Sequence, residues 1–83
     1  VGTTRYFEEQ VLRKRPYLTV EICRGVLADP LHQEVQDDGR VRHWGRVALP
    51  DEPEMRILRV VTLEDGETIH NAFLDRGFRE DRR

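Results

Sequence analysis

The chain has 83 residues, a single cysteine and a formal net charge of −2, with a sequence pI near 5.9. That length provides one domain, residues 1–83, with one small core; the lone Cys23 excludes an internal disulfide framework and, for so small a core, fits a reducing cytoplasm. No apolar run reaches the ~18 residues of a membrane span, no signal-peptide h-region is visible, and the acidic balance excludes a uniformly basic nucleic-acid footprint.

In chain order, Val1 to Thr3 reads as a frayed terminus. Thr4 can cap a first helix over residues 4–15, with Glu8 and Glu9 near its positive end and Phe7, Val11 and Leu12 as its apolar stripe. Pro16 stops it after Arg13-Lys14-Arg15, where cations suit the helix dipole. A second helix over 19–28 starts at Thr19, buries Ile22, Cys23, Val26 and Leu27, and ends at Asp29-Pro30.

From Leu31 the periodicity changes from 3.6 to 2. Residues 31–36 and 40–49 read as a hairpin around Asp37-Asp38-Gly39. A three-residue turn with Gly39 left-handed pairs Val35 with Val41 and gathers Leu31, Val35, Val41, Val47 and Leu49 on one face. After a loop at 50–54, residues 55–63 and 67–74 read as a second hairpin around Glu64-Asp65-Gly66. The same logic pairs Val61 with Ile69 and Ile57 with Phe73, giving Ile57, Val61, Leu63, Ile69 and Phe73 as the core face. The strand at 55–63 is apolar on both sides, which suits a central position. Residues 76–83 form a short charged tail. The fold expected is α+β, with two N-terminal helices on one face of a four-stranded antiparallel sheet.

The segment Asp38-Gly39-Arg40-Val41-Arg42-His43-Trp44-Gly45-Arg46 is the richest in chemistry. Alternation puts Arg40, Arg42, Trp44 and Arg46 on one face and Val41, His43, Gly45 and Val47 on the other. Guanidinium forks bind phosphate bidentately and an indole can stack a base. The same stripe is also ordinary solvated strand surface, or a protein-binding hot spot. Thirteen of the fourteen basic residues are arginine, a bias that phosphate recognition or a GC-rich genome would each produce. His32, His43, His70 and Cys23 match no zinc spacing, so no metal or other cofactor is expected. Cys23 lies on an apolar stripe, where a thiol is an inert small hydrophobe.

The order of these pieces, from the basic-ended helix through "Val-Leu-Ala-Asp-Pro" and "Asp-Gly-Arg-Val-Arg-His-Trp-Gly-Arg" to "Leu-Arg-Val-Val-Thr-Leu-Glu-Asp-Gly-Glu-Thr-Ile-His-Asn-Ala-Phe", resembles a small bacterial family of unknown function. That family is in turn distantly similar to the RelE/BrnT-like toxins. The resemblance covers most of residues 4–78 and implies a compact α+β toxin that cuts RNA without a metal and has an antitoxin protein as partner. Carried over by position, it implies His70 as the acid/base and Arg42 and Arg46 as phosphate stabilisers, with Arg59 as a further contact; the alternating stripe adds Arg40 and Trp44, and the C-terminal region Arg76, as candidate RNA contacts. His70 suits the role because only histidine titrates near neutrality unaided; a locally hydrogen-bonded strand histidine is the alternative. The competing function is a non-catalytic protein-interaction module that uses the Arg/Trp face or a sheet edge.

Overall fold

The computed structural model describes residues 2–78. Of the charged tail expected at 76–83, residues 79–83 lie outside the described residues, as does Val1. The architecture is α+β. A π-helical segment (Phe7–Val11) continues into α1 (Leu12–Lys14), followed by α2 (Val20–Ala28) and four strands, β1 (His32–Val35), β2 (Val41–Val47), β3 (Arg56–Thr62) and β4 (Ile69–Leu74). The strands form an antiparallel meander in the order β1-β2-β3-β4, with the doubly apolar β3 inside the sheet.

The caps follow the sequence. The Thr4 hydroxyl accepts the Phe7 N–H at 3.1 Å, and the Thr19 hydroxyl accepts the Ile22 N–H at 3.1 Å. The expected frayed start is corrected. Thr3 bridges Ile69 in parallel, with Ile69 N–H donating to the Gly2 carbonyl and Thr4 N–H to the Ile69 carbonyl. The helices therefore come after an extended segment docked on β4, rather than at the N-terminus itself. One turn of the first helix is wider than expected: the Leu12 N–H reaches back five residues to the Phe7 carbonyl.

The first hairpin has the expected register, Val35 opposite Val41, and Gly39 has φ +90°. The second differs by one residue. Asp65 accepts the Glu67 and Thr68 amides at 2.8 and 2.9 Å and the Thr68 hydroxyl at 2.6 Å. This clasp holds a four-residue loop closed by Leu63 N–H to the Thr68 carbonyl, so Thr62 and not Val61 faces Ile69. The register then shifts between Val61 and Thr62, because Val61 pairs with Asn71 and His70 is left over as a β-bulge. A one-residue slip exchanges the faces of a strand. The buried set accordingly includes Leu58, Val60, Thr62, Ile69 and Ala72; of the expected core face Ile69 is in the core and Val61 is buried outside it, whereas Ile57, Leu63 and Phe73 are only partly buried.

Leu58, Val60, Ile69 and Ala72 meet Phe7, Val11, Leu18, Cys23, Val26, Val47 and Leu49 in one core. α2 lies across β2 and β3, and the π-helical segment against β4. Gly45 permits the close approach of α2: a Cβ there would lie 3.1 Å from a Val26 methyl. β1 extends beyond the helices and is exposed along its whole length.

Candidate functional site

The β2 stripe does not form an open platform. Trp44 is only 5% exposed. The turn after β4 folds over it: Phe78 stacks on the indole with centroids 5.3 Å apart, and the indole N–H donates to Asp75 Oδ2 at 2.9 Å. That hydrogen bond, against the opposing effect of burial, holds the Asp75 carboxyl below its ordinary value, helped by the Gly77 amide and the Arg59 charge. Arg59 stacks over Phe73 at 4.3 Å and lies 5.8 Å from the Trp44 ring. Its Nε is 3.5 Å from Asp75 Oδ2, a charge contact without hydrogen-bond geometry. Trp44 and Arg59 thus belong to a latch that fastens the C-terminal turn to the sheet. Asp75 and Phe78, which close it, carry only a weak mark in the sequence, the Asp75-Arg76-Gly77 turn.

The other expected contacts are scattered. Arg42 pairs with Glu34 across the first hairpin at 3.9 Å. Arg46 is exposed near the far end of β2. Arg76 lines a groove with Glu52, Glu54, Arg56 and Ile57. Arg40 sits at the turn end of β2, 3.9 Å from Asp38.

The two histidines of the sheet have opposite surroundings. His43 is 2% exposed, and both ring nitrogens are engaged at 3.0 Å, Nδ1 by the Gln33 amide and Nε2 by the Thr62 hydroxyl. Burial pushes its pKa down, so it is a neutral core bridge tying β1 and β3 to β2. His70, on the bulge, is partly buried. Its Nδ1 lies 3.0 Å from the Thr4 hydroxyl, and its ring stacks on Tyr6 with centroids 5.0 Å apart. Desolvation lowers its pKa, and the positive charge of Arg40 adds to the effect. Of the named arginines, Arg40 is the one whose charge His70 feels. Tyr6 and Thr4 were not foreseen as site residues. They reach His70 because the N-terminal segment bridges β4, a pairing with no local sequence signal.

The Thr4 hydroxyl can donate to Nδ1 or accept from it, so it orients the ring in either tautomer. Nε2 is the nitrogen Thr4 leaves unengaged. The chemistry open to this group is proton transfer at Nε2 under the positive charge of Arg40. Among the described residues no cluster of three or more His, Cys, Asp or Glu side chains is arranged to hold a metal ion, and no helix is long and apolar enough to cross a membrane. Burial raises the Cys23 thiol pKa to about 12, far from a reactive thiolate. No family model matches the sequence, and neither a curated protein nor a solved structure is significantly similar to it.

Proposed function

We propose that the chain is a metal-independent endoribonuclease of the RelE/BrnT-like toxin type, with His70 as its acid/base. The observation that supports this is the imidazole on a β-bulge, steadied by Thr4 and Tyr6, kept neutral at pH 7 by desolvation and by Arg40. Bulges recur next to active sites because they re-aim a side chain. A neutral imidazole suits the base role. Nε2 would take the 2′-hydroxyl proton of a bound ribonucleotide. The 2′-oxygen would attack the adjacent phosphorus, and the 5′-oxygen would leave and take up a proton. The products are a 2′,3′-cyclic phosphate and a 5′-hydroxyl.

Arg40 is the first choice for stabilising the phosphorane charge, since guanidinium remains protonated throughout. Arg42 and Arg46 would extend the phosphate track along β2. A cognate antitoxin protein would then be the partner. The test is incubation of purified chain with end-labelled single-stranded RNA in EDTA. Fragments with cyclic phosphate ends are expected; RNA that stays intact would reject the reading.

A second reading, a non-catalytic interaction module, is favoured at a sheet edge rather than on the Arg/Trp face. Trp44 is covered, whereas every residue of β1 is exposed. Its test is binding of a protein encoded by an adjacent gene, which Gln33→Pro on β1 should abolish.

A further inference from the structure

The two edges of the sheet are treated differently. β4 carries the bridge to Thr3, while β1 runs uncovered beyond α2. Of the four large hydrophobics exposed among the described residues, two, Leu31 at 43% and Val35 at 74%, lie on or beside this one short strand. The Gln36 N–H bonds the Arg40 carbonyl, in register with Glu34 opposite Arg42 and His32 opposite Trp44. Alternation in an antiparallel ladder therefore turns the backbone groups of His32 and Glu34 towards β2, and those of Gln33 and Val35 outwards. Within the strand, side chains at 33 and 35 share one face and those at 32 and 34 the other; Leu31 precedes it in a bend, its N–H donating to the Trp44 carbonyl at 2.6 Å.

We propose that β1 is a self-pairing edge, on which a second copy of this chain adds its own β1 antiparallel, about a two-fold axis through Gln33. The strand complements itself in that register. Gln33 exchanges both backbone hydrogen bonds with Gln33 of the second copy. That register brings Val35 of one copy beside the bend at Leu31 of the other, the two exposed apolar side chains at this edge. On the other face of the strand, His32 lies opposite Glu34, repeating between copies the contact they make within one chain at 3.1 Å, with Arg42 also 3.9 Å from the same carboxylate. Neighbouring symmetric registers fit less well. An axis through Glu34 sets two carboxylates face to face, and an axis through His32 brings Pro30, which lacks an N–H, into the ladder. The helices lie over β2, β3 and β4, which leaves room on both faces of β1 for an eight-stranded sheet. So short an interface falls below the standard size class, and the association is weak. The proposal rests on the interaction reading for its choice of the β1 edge and adds a second copy of this chain as the occupant.

The experiment is sedimentation equilibrium of the pure protein from micromolar to millimolar concentration, with amide exchange followed at each residue. The weight-average mass should rise towards the dimer, and exchange at Gln33 and Val35 should slow as concentration increases. Gln33→Pro should weaken association roughly thirtyfold, by removing the hydrogen bond each copy donates across the axis. The missing N–H points away from β2, but the variant also loses the Gln33 amide from His43 Nδ1, so Gln33→Ala, which loses that contact and keeps the N–H, is the control and should still associate. His32→Glu should also weaken the dimer, and adding Glu34→His should restore it, since the exchanged pair is again complementary. A wild type that stays monomeric at every concentration, a dimer indifferent to Gln33→Pro, or a double variant no better than His32→Glu would each overturn the proposal. These outcomes need no other protein, so they are distinct from failure of the interaction reading, which is judged on a different partner.

Discussion

The two hairpins of this sheet begin from the same turn dipeptide and end in different chemistry. Asp38-Gly39 closes a three-residue loop whose ladder stays regular, and its histidine, His43, is drawn into the core with both nitrogens bonded. Asp65-Gly66 closes a loop one residue longer, fastened by the Asp65–Thr68 clasp, and its ladder regains step by bulging at His70. One histidine becomes a structural bridge. The other is turned out against Thr4 and Tyr6, with Nδ1 held by the Thr4 hydroxyl. Loop length, more than residue type, decides whether a strand histidine is drawn into the core or turned towards the surface.

The largest expected effect falls on the first hairpin. His43→Ala opens a cavity and strips the Gln33 amide and the Thr62 hydroxyl of a partner, so urea denaturation should show a loss of about 2–4 kcal/mol. His70→Ala, on the surface bulge, should cost less than about 1 kcal/mol. Equal losses would break the contrast between the two rings.

The turn glycines give the next effect. Both have positive φ, at +90° for Gly39 and +72° for Gly66, so alanine at either should cost about 1 kcal/mol. Gly39→Ala should be the worse of the two, because its Cβ would also press on the Glu64 side chain, whereas the space at Gly66 is open. Trimming Glu64 to alanine should recover the difference, read as the shift in urea midpoint.

Smaller effects follow from pH. Both histidines have folded pKa values below the 6.5 of the free side chain. The unfolded chain then binds protons more readily, so stability is full above pH 6.5 and declines as the pH drops through the folded values. His43→Asn should flatten that decline. Asp65 behaves alike at lower pH: its clasp, with the Thr68 hydroxyl foremost, pulls its pKa from 3.8 to about 2. Its contribution is complete above pH 3.8 and disappears as the pH falls through about 2, a loss that Asp65→Asn should abolish in an acid-unfolding curve.

Much of the fold was legible because one pattern had one answer. In the first hairpin only one register separates Val35, Val41 and Val47 from the arginines, so the Gly39 conformation followed. In the second, Ile57, Leu58, Val60, Val61 and Leu63 make β3 apolar on both faces, and hydrophobicity cannot choose between registers that differ by one residue. The deciding feature was Asp65 with Thr68 three residues on, a side-chain clasp that alternation does not register. His70 could be picked out as a titratable group, but its neighbours could not. Thr4 and Tyr6 arrive through a long-range bridge, and Trp44, read as an open stacking face, is covered by Phe78 from a turn that begins 31 residues further on, at Asp75. Non-local contacts of this kind leave no periodicity to read.

The most direct measurement is single-turnover RNA cleavage by His70→Gln in EDTA, made alongside RNA binding by the same variant. If the bulged histidine moves the proton, cleavage should fall by at least about 100-fold, the contribution typical of a positioned acid or base, while binding stays near wild type because Arg40, Arg42 and Arg46 remain. A variant that cleaves at the wild-type rate would contradict the assignment of His70 as the acid/base.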